Sequence, residues 1–203
     1  MQRYLEMEIE YVIGRLQRRD RVLELGCGYG RVALRLAEVA ESVAGIDMAA
    51  ESLALARRLD ADGRCEFREM DALSMTYRDD QFDVVVCIQN GICAFGQDPI
   101  ALFREALRVT RPSGRVLFST YTDHFWPDRL AWFEAQAAAG LMGPVDRRRS
   151  GDGVIVCEDG FRSGRATPED FHAICAALGV SGTIVEVDQS SLFCEVVKGE
   201  VAA

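Results

Sequence analysis

The stretch that most constrains this chain is Glu24-Leu25-Gly26-Cys27-Gly28-Tyr29-Gly30-Arg31, where an apolar run passes into a helical pattern through glycines at every second position. Glycine adopts positive φ at little cost and lets a ligand approach the backbone, and a helix that starts there offers free N–H groups. The run therefore reads as a strand, a tight turn and a helix, with a ligand expected at the turn. On the turn alone, a tight connection without any ligand stays open.

The flanking pattern supplies the architecture. Short apolar runs alternate with helical stripes, the arrangement of a parallel sheet with helices on both faces. Residues 4–16 carry a helical stripe at Leu5, Ile9, Val12, Ile13 and Leu16. Strands are expected at 21–25, 42–47, 65–70, 82–88 and 115–120, separated by helices near 29–40, 51–59 and 99–109, with a turn at Arg111-Pro112-Ser113-Gly114. Further on, 125–139 reads as a helix, 140–150 as a loop, and 154–157 with 161–166 as a short hairpin around Asp159-Gly160. Thr167 as N-cap and Pro168 at the first position open a helix that ends near Gly179. The runs at 183–187 and 192–197 lie so close together that they must pair as an antiparallel hairpin.

Composition narrows the function. The 203 residues hold 23 Lys+Arg against 32 Asp+Glu, a formal charge of −9, the wrong sign for neutralising phosphates. Neither nucleic acid nor a membrane surface is expected as a partner. No apolar run reaches the ~18 residues of a membrane span, and the first ten residues have no signal-peptide core, so a cytoplasmic protein is expected. Seven cysteines without a CxxC pair read as reduced, buried thiols rather than a metal site. Lysine chemistry is excluded, because Lys198 is the only lysine beside 22 arginines.

An acid, Asp47, ends the second strand about 20 residues beyond the turn, where a carboxylate can accept both hydroxyls of a ribose; its alternative is a helix N-cap. The dinucleotide fingerprint G-x-G-x-x-G would need glycine where Arg31 stands, which disfavours an NAD(P)-dependent oxidoreductase. With these landmarks the segment resembles motif I of the class I S-adenosylmethionine-dependent methyltransferases. Asp71 in Met70-Asp71-Ala72-Leu73, the strand at 82–88, the helix and turn at 104–114 and the closing strand pair follow in family order. The resemblance covers about residues 20–121 and 167–198. It implies a Rossmann-like doubly wound α/β sheet of about seven strands with an antiparallel last strand, in one domain over 1–203, with a substrate-covering insertion near 122–166.

The resemblance also implies a site. Gly26, Cys27 and Gly28 would line the methionine part of S-adenosylmethionine, with Glu24 orienting the turn or accepting from the cofactor's amino group. Asp47 would hold the ribose and Met48 pack on the adenine. Asp71, otherwise a turn residue, and Ala72 would meet the adenine edge. The backbone from Cys87 to Gln89 would flank the sulfonium.

The acceptor is less constrained. Methyl transfer from a sulfonium needs the donor and acceptor held in line more than it needs a base. His124, just past the fifth strand, is the candidate general base; a loop histidine bonded to nearby backbone is its alternative. Gln89 and Asn90 are placed to orient an acceptor, although Asn90-Gly91 also suits a turn. Tyr121 and Trp126 join His124 as acceptor-side residues, and Phe125, Trp126, Trp132 and Phe133 either wall the pocket or form ordinary helix core. Gln89-Asn90-Gly91-Ile92 lacks the motif of DNA amino-methylating enzymes, and no carboxylate cluster for a metal follows strands four or five. The expectation is methyl transfer to an oxygen or nitrogen of a small molecule, by a monomer or homodimer. A non-catalytic binder of S-adenosylmethionine or a nucleoside is the alternative.

Overall fold

The computed structural model describes residues 1–94 and 98–199. Its centre is a seven-stranded sheet built from β1 (Arg21–Leu25), β2 (Ser42–Asp47), β3 (Cys65–Glu69), β4 (Phe82–Cys87), β5 (Thr110–Tyr121), β8 (Gly182–Val187) and β9 (Ser191–Val197). A two-stranded hairpin, β6 (Ile155–Val156) with β7 (Arg162–Ser163), stands apart. The order across the main sheet is β3-β2-β1-β4-β5-β9-β8, so the winding reverses between β1 and β4. The first five strands are mutually parallel, while β9 runs antiparallel to both β5 and β8. The doubly wound sheet with a reversed final strand is thus present.

Strand β4 shows why the central runs are apolar throughout. Val84 and Val86 face one layer and Val85 and Cys87 the other, all four buried, so no polar alternation survives in the sequence. On the first face, α1 (Gln2–Ile13), α2 (Arg31–Leu36) and α3 (Ala50–Leu59) deliver Ile9, Val12, Leu36 and Leu53. On the second, α4 (Pro99–Val109) and α6 (Pro168–Leu178) deliver Leu102, Phe103, Phe171 and Ile174, with the Phe103 and Phe118 rings stacked at 3.9 Å. Helix α6 opens as its sequence dictates. Thr167 accepts from the Asp170 amide and Asp170 from the Thr167 amide, a reciprocal cap, and Gly179 closes the helix in the left-handed region.

Two of the boundaries that differ from expectation have a visible cause. The turn at 111–114 lies inside β5, because the pairing with β4 slips between Phe82 and Val84 and the backbone of Lys198 bonds to Ser113 and Gly114. Helix α2 is only six residues long, since Gly30 is still in the turn with φ 83°.

Between β5 and α6 the chain makes an excursion of α5 (Trp126–Ala138) and the β6–β7 hairpin. Phe133, Ile155 and Cys157 form its small core, with Trp126 and Trp132 packed on them, while Phe125 sits with Tyr4 and Tyr121. Phe125 and Phe133 are thus buried, while Trp126 and Trp132 are only partly buried against the small core. Arg129 holds the excursion together. It is 1% exposed, donates to the carbonyls of Gly153, Ser163 and Gly164 at 2.7–2.9 Å, and stands 4.3 Å over the Tyr121 ring. Among the described residues no helix is long and apolar enough to cross a membrane.

Candidate functional site

Open α/β sheets bind ligands at the carboxyl ends of their strands where the winding reverses, which here is the crevice between β1 and β4. The glycine turn forms one wall. Gly26, Gly28 and Gly30 all have positive φ (74°, 52° and 83°), which accounts for glycine at every second position. The amides of Gly26 and Cys27 both donate to the Ile46 carbonyl, at 2.8 and 2.9 Å, tying the turn to β2. A Cβ at Gly30 would stand 2.8 Å from Phe67, whereas one at Gly28 would meet nothing within 4 Å. The backbone at Gly28 therefore faces open space.

Asp47 closes the end of β2. Its Oδ2 accepts from the Gly28 amide and its Oδ1 from the Ala49 amide, each at 2.8 Å, so each oxygen retains a lone pair for a further donor. Met48 beside it is 63% exposed, and Tyr29 in the turn is 47% exposed. Asp71 is exposed past β3, where its Oδ1 accepts from the Leu73 amide in a local turn, and Ala72 is buried in the second-face core.

Glu24 is buried beneath the turn. Burial pushes its carboxyl up to about 8, against the smaller opposing pull of the Ala33 amide and the Arg31 guanidinium. Its Oε2 has no partner. Cys27 packs its side chain under Gly45, and burial raises its thiol far above the ordinary range; Cys87 behaves likewise, so neither presents a thiolate.

The second wall follows β4. Gln89 and Asn90 both have positive φ (61° and 63°), a costly pair for residues with side chains. The Gln89 amide explains how the turn is held, since it donates to Glu8 Oε2 at 2.7 Å and to Ser119 Oγ at 2.8 Å. Its side-chain oxygen accepts from Arg31. Asn90 is buried, with Oδ1 accepting from Thr120 and Nδ2 donating to the Gly164 carbonyl, so its amide links β4, β5 and the excursion. Tyr121 is also buried, and burial pushes its phenol up to about 12.

His124 is the expected site residue that the structure keeps apart. Its side chain is 68% exposed, with Nδ1 3.4 Å from Glu186, in a cleft of about 700 Å³ walled by the start of α1, the start of α5 and the β8–β9 turn. None of that cleft's residues belongs to the glycine turn or to the segment after β4. Trp126 likewise lies outside the crevice residues named above, partly buried against the excursion's core. Conversely, Glu8, Arg31 and Ser119 enter the site without having been expected there. Glu8 had a signal, a carboxylate one turn from Tyr4 and Val12 within the apolar stripe of α1, and it is fully buried.

The arrangement fits a ligand with a diol for Asp47, an apolar ring for Met48 and a charged chain lying along Gly28. Residues 22–114 match the family described as Methyltransferase domain. Over 103 residues the chain is 34% identical to the ubiquinone biosynthesis O-methyltransferase of Pseudomonas fluorescens (strain Pf0-1), covering 49% of this chain and 44% of that protein. The chain spans less than half the length of the curated relatives it matches first. Among solved structures, the PH0226 protein of Pyrococcus horikoshii OT3 superposes with a TM-score of 0.76 at 20% identity, over 97% of this chain and 91% of that one. The DhpI-SAM-HEP complex superposes with a TM-score of 0.65 at 26% identity, over 95% and 86%.

Proposed function

We propose that the chain, whose residues 22–114 match the Methyltransferase domain family, is a class I S-adenosylmethionine-dependent methyltransferase that methylates an oxygen or nitrogen of a small molecule. The observation that carries the reading is the crevice itself: open backbone at Gly28, the Asp47 carboxylate bonded to that backbone, and exposed Met48, gathered where the winding reverses.

In this reading Asp47 takes the ribose hydroxyls, Met48 covers one adenine face and Asp71 lies at the adenine edge. Gly26 to Gly28 flank the methionine chain, and the left-handed Gln89 turn stands beside the methyl group. When bound, the cofactor supplies an activated methyl group on a sulfonium. The protein orients donor and acceptor in line and excludes water, an effect that can supply about 7–11 kcal/mol. His124, paired with Glu186 outside the crevice, takes no part in this account. Preference for an oxygen acceptor is supported by the ubiquinone O-methyltransferase relatives, and preference for a small molecule over nucleic acid by the net charge of −9.

The test is incubation of the purified chain with methyl-labelled S-adenosylmethionine and a panel of small phenols, alcohols and amines. Label in an extracted small-molecule product supports the reading. Tight cofactor binding without label in any acceptor, including a metabolite extract, would favour the non-catalytic binder.

A further inference from the structure

We propose that Arg31 receives the α-carboxylate of the cofactor, exchanging Gln89 for it, so that the crevice selects ligands that carry the amino-acid tail of S-adenosylmethionine. The inference rests on the cofactor reading above and adds a residue to it.

Arg31 is the first residue of α2 and Gln89 the second past β4, and the Arg31 Nη2–Gln89 Oε1 hydrogen bond joins the two walls across the reversal point. Gln89 is the fixed end, because its amide is held by Glu8 and Ser119. Arg31, on a long flexible side chain, is the end free to exchange partners.

The atoms left over define the ligand. Arg31 Nη1 and Gln89 Nε2 are buried donors without a partner, and Glu24 Oε2 is a buried acceptor without one. Buried polar groups seldom stay unpartnered, because each forfeits its hydration. Two free donors at the bridge, with the Glu24 carboxyl close enough to feel the Arg31 charge, complement the carboxylate and the ammonium of an amino acid. The charges agree. Arg35, one turn further along, is taken up by Glu6 and Glu10, while Arg31 makes no ion pair within 4 Å among the described residues. A planar guanidinium is also the side chain best shaped for a carboxylate.

The experiment measures binding by titration calorimetry with two probes, S-adenosylhomocysteine and S-adenosyl-3-thiopropylamine, the same molecule without its carboxylate. Wild-type protein, Arg31→Gln and Arg31→Lys are compared. Arg31→Gln should bind S-adenosylhomocysteine about 10- to 100-fold more weakly, as expected for a lost hydrogen bond to a charged group. It should bind the decarboxylated probe within about threefold of wild type, and Arg31→Lys should recover part of the loss. Retained binding of that probe also shows that the variant is folded. Equal loss of both probes, or unchanged binding of S-adenosylhomocysteine, overturns the assignment and leaves the cofactor reading standing. Failure of the wild-type protein to bind S-adenosylhomocysteine overturns both.

Discussion

The Gly28 amide donates to Oδ2 of Asp47 at 2.8 Å, which makes the turn after β1 and the end of β2 a single unit. A carboxylate read in the sequence as either a ribose acceptor or a helix N-cap bonds the Ala49 amide in a local turn, the N-cap of α3 being Ala49 itself, and both carboxylate oxygens remain able to accept again.

That double duty predicts how substitutions at Asp47 separate. Asp47→Ala leaves two amides without acceptors and should cost about 1–3 kcal/mol of stability along with cofactor affinity. Asp47→Asn keeps an acceptor for the turn but loses the charge and one acceptor for the ribose. Because its NH2 faces one of the two amides, it should lose only part of the stability that Asp47→Ala loses, about 1 kcal/mol, while binding S-adenosylhomocysteine at least about 10-fold more weakly. Chemical denaturation and calorimetry on the same samples check the separation; equal affinity in Asp47→Asn would remove Asp47 from the ribose site.

The glycines of the turn should fail in different ways. Gly30→Ala forces a Cβ to 2.8 Å from Phe67 and 3.2 Å from Ala56 at φ 83°, and should cost about 2–4 kcal/mol of stability. Gly28→Ala meets no protein atom, so at φ 52° it should cost only about 1–2 kcal/mol. Its methyl group projects into the space assigned to the cofactor, so affinity should fall about 10-fold or more. Melting curves with and without S-adenosylhomocysteine distinguish the two.

Glu8 predicts a pH dependence. Burial raises its carboxyl to about 7, against the pull of Ser191, Ser119, the Gln89 amide and Tyr4, so the folded protein holds this proton at pH values where the unfolded chain has released it. Its contribution is therefore fully present below about pH 4.5 and is lost as pH rises toward 7, a change on the order of 3 kcal/mol. Glu8→Gln removes the titration while its amide oxygen still accepts from Gln89. The variant should gain about 1–3 kcal/mol over wild type at pH 8 and differ little at pH 4.5. Denaturant titrations at the two pH values check this, and a variant equally destabilised at both would mean that Glu8 is ionised in the fold.

How much of this was legible follows from how far apart the determinants lie. Strands β1, β2 and β4 and the glycine turn are local, each specified within one apolar run or by the φ values of three glycines, and they were read directly. So was the α6 cap, four residues long. The long β5 was not, because its bulge depends on Lys198, which pairs with residues 113 and 114 from the far end of the chain. Gln89 and Asn90 were singled out, but what holds Gln89 in the left-handed region comes from Glu8, 81 positions earlier, and from Ser119, 30 positions later. His124 stood in the expected sequence position, yet it lies beside Glu186 of β8 in a different cleft, a neighbour 62 positions away. The acceptor side depends throughout on such distant pairings.

The most direct measurement is the binding of S-adenosylhomocysteine to the wild-type chain, with NAD as the comparison, read by thermal shift and confirmed by calorimetry. A ligand at 100 times its dissociation constant adds about 2.7 kcal/mol of stability. The account predicts that S-adenosylhomocysteine and S-adenosylmethionine raise the melting temperature by several degrees in a concentration-dependent way, while NAD does not. Stabilisation by NAD with no response to S-adenosylhomocysteine would contradict it.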